Sequence, residues 1–205
     1  MKRILALLVV ATVATFGLSA QADNLRTKGG DMSLLFTLNG LQNLGAGNYM
    51  GGVGIGYYLS NGLQLRGGIG FGSNSETTGT GDAEAKTSSS TFTIAPAIRY
   101  NLMQSSTVVG YTGLQVGFTS TSGSTTVGGN ETGSSSGSTI GAGVILGGEW
   151  FPWSNVSLGL EYGLGFSTTS SKSKNAQGTE SDGPTTTAIN LGLSTVQFTL
   201  ALYLN

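Results

Sequence analysis

Between Val156 and Phe166 every second residue is large and apolar. Val156, Leu158, Leu160, Tyr162, Leu164 and Phe166 alternate with Ser157, Gly159, Glu161, Gly163 and Gly165. A period of two puts the two sets on opposite faces of an extended strand and excludes a helix, whose faces repeat at about 3.6 residues. The same alternation recurs in eight stretches of the chain.

Those stretches are Asp31–Asn39, Tyr49–Leu59, Leu63–Gly72, Thr91–Leu102, Val108–Phe118, Ile140–Phe151, Val156–Phe166 and Thr187–Leu204. In the third, Leu65, Ile69 and Phe71 oppose Gln64, Arg66, Gly68 and Gly70. The eighth changes phase, with Ile189, Leu191 and Leu193 on one parity and Val196, Phe198, Leu200 and Leu202 on the other. A β-bulge near Ser194 or Thr195 reconciles them. Ser60-Asn61-Gly62 reads as a tight turn with Gly62 in the left-handed region, and Pro152–Asn155 as another. By contrast Ser73–Ser90, Thr119–Thr139 and Ser167–Thr186 are long and rich in Ser, Thr and Gly, and Gly40–Asn48 is intermediate. With so few apolar residues the long segments cannot pack a core and read as mobile loops.

Ahead of the strands, Lys2 and Arg3 precede an uncharged apolar run from Ile4 to Leu18, followed by Ala20-Gln21-Ala22. This is the pattern of a secretory leader with a small-residue cleavage site after Ala22. The run is too short for a spanning helix, which needs about 20 residues. We therefore expect residues 1–22 to be a cleaved signal peptide and 23–205 to form one domain. Without Lys2 and Arg3, seven of the nine basic residues remain against ten acidic ones. That balance offers nothing to nucleic acid. No cysteine is present, so there is no disulfide framework. Only 9% of residues are charged and 35 are glycine, proportions foreign to a soluble globular domain.

Eight strands, short turns on one rim and long connections on the other predict an all-β fold, an eight-stranded antiparallel up-and-down transmembrane β-barrel. Aromatic residues near the strand ends place lipid outside. Tyr57, Tyr100, Trp150 and Tyr203 stand near the short-turn rim, and Tyr49, Phe71, Phe92, Phe118 and Phe166 near the other. Eight residues separate Phe92 from Tyr100, or about 20 Å across the membrane at ordinary strand rise and tilt. A soluble barrel with its apolar face inward is the alternative, but the opposite face is Gly and Ala, suited to a narrow lumen. A propeller is disfavoured, since neither a Gly-His nor a Trp-Asp signature occurs.

On these features the chain resembles the small bacterial outer-membrane β-barrels of the OmpA and OmpX type. The likeness covers Lys28 to Asn205 and includes the apolar alternation Val196, Phe198, Leu200, Leu202 in the last strand. It departs at the terminus, which reads Tyr203-Leu204-Asn205 where an aromatic residue is usual. The resemblance implies residence in the cell outer membrane of a Gram-negative envelope, lipid as surroundings, the barrel-insertion machinery as a partner during assembly, and a monomer.

Four charges lie on the small-residue face: Arg66, Arg99, Glu149 and Glu161. All are close to short turns, so they fall in the periplasmic half of the lumen, where charges inside a membrane must pair. If Leu59 opposes Leu63, Arg66 lies over Gly56, which leaves room for its guanidinium. The preferred reading is a structural plug; a gate or selectivity constriction is the alternative. Two carboxylates also raise the question of glycosidase-like chemistry, but no substrate cleft is evident. The chain has no histidine, which removes Ser-His and Cys-His nucleophiles and most zinc sites. The Gly52, Gly54, Gly56 run does not match a phosphate-binding loop. Asp82, Glu84, Glu131, Glu180 and Asp182 could bind a divalent cation weakly, but solvated charge is the preferred reading, and the Asn130-Glu131-Thr132 sequon reads as chance. We therefore expect no enzymatic activity, no cofactor and no metal, and either a structural or surface-interaction protein or a narrow channel for small or hydrophobic solutes.

Overall fold

A strand that is apolar on one face and small on the other satisfies all its backbone groups in lipid only if the sheet closes on itself. The computed structural model describes residues 25–38, 53–190 and 196–204, and they form such a ring. Its strands are β1 (Met32–Leu38), β2 (Val53–Tyr58), β3 (Leu63–Thr78), β4 (Ala85–Gln104), β5 (Val108–Val127), β6 (Asn130–Trp153), β7 (Val156–Asn175), β8 (Glu180–Asp182), β9 (Thr186–Asn190) and β10 (Val196–Leu204). Neighbours in sequence pair antiparallel from β1 to β7, β10 closes the ring between β7 and β1, and β9 pairs with the upper part of β7. Together β9 and β10 supply the eighth stave, and β8 pairs with the tip of β7.

The ladder around the ring is staggered. Starting at Gly165 and following paired residues through Gly143, Gln115, Ala97, Arg66, Gly56, Ser33 and Tyr203 leads to Asn155, just before β7 and ten residues below the start. Eight staves with a stagger of ten tilt by about 40° from the barrel axis. The eighth stave carries an irregularity of its own. Ile189 pairs with Phe166 whereas Val196 pairs with Tyr162, so seven residues of this stave span four of β7, a surplus of three. An odd surplus reverses parity, and accordingly both Ile189 and Phe198 are exposed on the outer wall. The bulge expected at Ser194 or Thr195 falls outside the described residues, as do Gly40–Asn48 and the first residues of the second predicted strand.

The Ser/Thr-rich segments predicted as mobile loops are ladders instead. Pairing between β3 and β4 continues to Thr78 and Ala85, and between β5 and β6 to Val127 and Asn130. Hydroxyls bridge adjacent strands, as in Ser90 with Ser122 at 2.8 Å, Thr139 with Thr169 at 2.8 Å and Ser138 with Ser170 at 3.1 Å. Such cross-strand pairs stabilise a sheet without an apolar core, and threonine is a good strand former. Gly128 and Gly129, with φ of 58° and 80°, make the two-residue turn that closes the β5–β6 hairpin.

On the short-turn rim, Ser105 to Thr107 link β4 and β5, and Ser154 and Asn155 link β6 and β7. Pro152 is therefore strand, at a register irregularity between Trp150 and Trp153, and is not part of the turn. Gly62 does not adopt positive φ. Its turn is fastened by the Leu59 amide on the Leu63 carbonyl, 2.8 Å, and by the Asn101 amide on the Gly62 carbonyl, 2.8 Å.

Candidate functional site in the barrel lumen

Arg66 on β3 and Glu161 on β7 meet across the full width of the ring, and both are buried. Arg99 on β4 reaches Glu149 on β6 through two parallel bonds, Nη1 to Oε1 at 2.8 Å and Nη2 to Oε2 at 2.9 Å. That chord passes over the intervening strand β5, whose Tyr111 ring lies 3.6 Å below the Arg99 guanidinium carbon. Tyr111 also donates its hydroxyl to Glu161 Oε1 at 2.7 Å. One tyrosine thus joins the two ion pairs into a single network, and the buried formal charge sums to zero.

Further residues complete the network. Arg99 Nη2 donates to the Tyr58 hydroxyl at 3.0 Å, Tyr203 donates to Glu149 Oε2 at 2.9 Å, and Gln197 Nε2 donates to Glu161 Oε2 at 2.9 Å. Desolvated charges need this many partners to be tolerable. Glycines make the geometry possible. A Cβ on Gly147 would sit 2.5 Å from the Tyr111 ring, so only glycine lets that ring lie flat across β6 to reach β7. Gly56 does pair with Arg66. The space over it is filled by Gln64 Nε2 and Ser33 Oγ instead of the guanidinium, which extends to Glu161.

The sequence reading assigned Tyr203 to the outer aromatic girdle, and this is incorrect. Tyr203 is 5% exposed and packs against Phe151 inside the lumen, ring centroids 5.2 Å apart. It shares parity with Thr199 and Ala201, both buried, so the alternation already points it inward. Tyr111 and Gln197 escaped notice although they share parity with lumen residues of their own strands, Gln115 and Thr199.

Below the network the chain folds under the barrel. Thr27 is fully buried, its hydroxyl donating to Gln104 Oε1 at 2.9 Å and accepting from Asn101 Nδ2 at 3.1 Å. Arg26 donates to the Trp153 carbonyl at 3.1 Å and stands 4.5 Å over the Phe151 ring. The Gly29 amide donates to Asn61 Oδ1 at 3.1 Å and the Gly30 amide to the Tyr58 carbonyl at 2.8 Å. Residues 26–30 therefore bind the short-turn rim at β2, β4 and β6. Above the network lies an open cavity of about 410 Å³, lined by β5, β6 and β7 with five glycines among its thirteen lining residues.

The ring is closed and antiparallel, with an apolar outer wall and a charge-neutral polar interior. The family model described as "Outer membrane protein beta-barrel domain" matches residues 8–196. The chain belongs to this family. It is an outer membrane β-barrel protein. Among solved structures, Ail, the attachment invasion locus protein of Yersinia pestis, aligns over 86% of this chain and 99% of its own, at 11% identity and a TM-score of 0.36. No curated protein sequence matches.

As an outer membrane barrel the chain presents its apolar wall to lipid, and seven of the nine predicted girdle aromatics stand exposed there: Tyr57, Phe71, Phe92, Tyr100, Phe118, Trp150 and Phe166. Tyr49 lies outside the described residues. Among the described residues, no three acidic side chains come together as a metal site, and Asp182 is an exposed partner of Lys172 at 3.5 Å.

Proposed function

We propose that this outer membrane barrel has a structural or surface-interaction role with a closed lumen, and that it has no enzymatic activity. The observation that carries this reading is the neutral network of Arg66, Glu161, Tyr111, Arg99 and Glu149. It spans β3 to β7 in the periplasmic half, with residues 26–30 bound across the rim beneath it. Its members are mutually bonded, so an ion entering the lumen would have to break pairs held in a poorly solvated interior. What the protein then offers its surroundings is the hydroxyl-rich sheet formed by the outer ends of β3 to β7.

We further propose export through a leader cleaved after Ala22, insertion by the barrel-assembly machinery, and a monomeric barrel. The cavity above the network favours a second reading, a narrow passage for small or hydrophobic solutes. Conductance of the purified protein in planar bilayers separates the two. A closed lumen gives no steady current from the native protein, whereas Arg99→Gln or Glu149→Gln, by breaking a pair, gives intermittent openings. Steady current from the native protein, abolished by those same substitutions, would establish the channel instead.

A further inference from the structure

We propose that residues 26–30 are a detachable strap that seals the periplasmic end of the lumen and, by fixing Phe151 and Tyr58, keeps the Arg99–Glu149 pair above it closed. Thr27 is buried and shares Gln104 Oε1 through both its hydroxyl, at 2.9 Å, and its amide, at 3.3 Å. The same Gln104 donates its Nε2 to the Asn61 carbonyl, so one side chain clips the strap to the turn between β2 and β3. Lys28, Gly29 and Gly30 are exposed. Gly30, at φ 97°, bends the chain from the strap into β1, a conformation that glycine takes without strain.

Two routes lead from the strap to the ion pair. On one side the Arg26 guanidinium stands 4.5 Å over the Phe151 ring, Phe151 packs on Tyr203 with centroids 5.2 Å apart, and Tyr203 donates to Glu149 Oε2 at 2.9 Å. On the other, the Gly30 amide holds the Tyr58 carbonyl at 2.8 Å, and the hydroxyl of that tyrosine accepts from Arg99 Nη2 at 3.0 Å. Each member of the pair is therefore braced through residues that the strap touches.

The strap is also the part that can leave while the barrel stands. Most of its bonds join backbone amides and uncharged side chains at a rim open to water, where solvent replaces a lost hydrogen bond at small net cost. The pair above is charge held in a poorly solvated interior, and separating it is far more costly. Local opening begins where apolar contacts are few and hydrogen bonds are solvent-exposed, a description that fits residues 26–30 and not the ladder above them. Undocking thus removes the braces first, and the pair loosens as a consequence. This inference rests on the closed-lumen reading, since a strap seals nothing if the lumen conducts in its presence.

The chain has no cysteine, so a single introduced thiol reports on the lumen without background. Ser157 suits the purpose: it is 1% exposed, its hydroxyl has no hydrogen-bond partner, and it lies opposite Ala201 at the strap end of β7. Ser157→Cys protein in micelles is treated with a charged, water-soluble methanethiosulfonate, with and without the strap substitutions Arg26→Ala and Thr27→Val together. Those substitutions should speed modification by about tenfold or more, because the rate follows the open population, and should give intermittent openings in planar bilayers. Thr27→Ser, which keeps the hydroxyl, should retain the slow rate, and every variant should still run as a compact band when unboiled in SDS. Equally slow modification with and without the strap substitutions overturns the proposal and leaves the closed lumen standing. Fast modification of Ser157→Cys with the strap intact overturns the closed-lumen reading itself. Faster modification without openings overturns the bracing of the pair, and loss of the compact band would make the segment a support of the barrel and not a strap.

Discussion

The ring of Tyr111 lies beneath the Arg99 guanidinium at 3.6 Å while its hydroxyl holds Glu161 at 2.7 Å, so one side chain supports a cation from below and an anion from its tip. Tyr111→Phe keeps the first contact and removes the second. Glu161 retains Arg66 and Gln197, and the expected loss is about 1–3 kcal/mol, the range for a hydrogen bond to a buried charged group. Urea unfolding of the barrel in lipid vesicles measures it. A loss below the error of the measurement would mean that water replaces the hydroxyl.

Removing one member of the Arg99–Glu149 pair leaves the other charged and buried. Arg99→Gln and Glu149→Gln should each cost about 3–5 kcal/mol, as for other buried pairs broken on one side. The double variant should cost much less than the two combined, because two neutral amides can bond each other and Tyr203. The double-mutant cycle gives the coupling energy directly. Additive losses would show that the two residues act separately.

Gly147 and Gly148 are adjacent glycines of one strand with opposite surroundings. A Cβ on Gly147 strikes the Tyr111 ring at 2.5 Å, whereas one on Gly148 reaches its nearest atom, the Val109 carbonyl oxygen, at 3.8 Å. Gly147→Ala should therefore destabilise the barrel by about 1–3 kcal/mol, the usual cost of overpacking. Gly148→Ala should be neutral or slightly stabilising, since it reduces the freedom of the unfolded chain. Comparing their unfolding midpoints cancels most of what the two changes share.

Replacing both Gly128 and Gly129 by alanine forces two L-residues into positive φ, at about 1–2 kcal/mol each. The damage should stay local. Amide exchange should accelerate along the outer β5–β6 ladder from Thr121 to Gly137, with little change at Leu114 or Val144 nearer the membrane. Exchange that is already fast throughout the outer ladder in the native protein would contradict the pairing of that sheet.

How far these features can be read from the chain depends on which force shapes each one. The lipid-facing strands are legible because burial in lipid writes a period of two into Val156 to Phe166, and the same parity puts Arg66, Arg99, Glu149 and Glu161 on the inner face. Which arginine meets which glutamate is not legible, because it follows from the ten-residue stagger, a property of ring closure absent from any single strand. The outer hairpins are hidden for another reason. Ser122, Ser124, Ser134 and Ser136 face water on a sheet wet on both sides, so no hydrophobic alternation marks them. There the Gly128-Gly129 dipeptide is the local sign of the β5–β6 hairpin. Tyr203 was misplaced when its aromatic character was weighed above its parity.

The segment under the barrel also imposes an order of events. Thr27 closes on Gln104 and Asn101, Arg26 on Trp153, and Gly29 on Asn61, partners that lie 32 to 127 residues further along the chain. Although it precedes every strand in sequence, it has nothing to grip until the turns of three hairpins are in place. Residues 26–30 are thus a latch whose keeper is built from the rest of the protein.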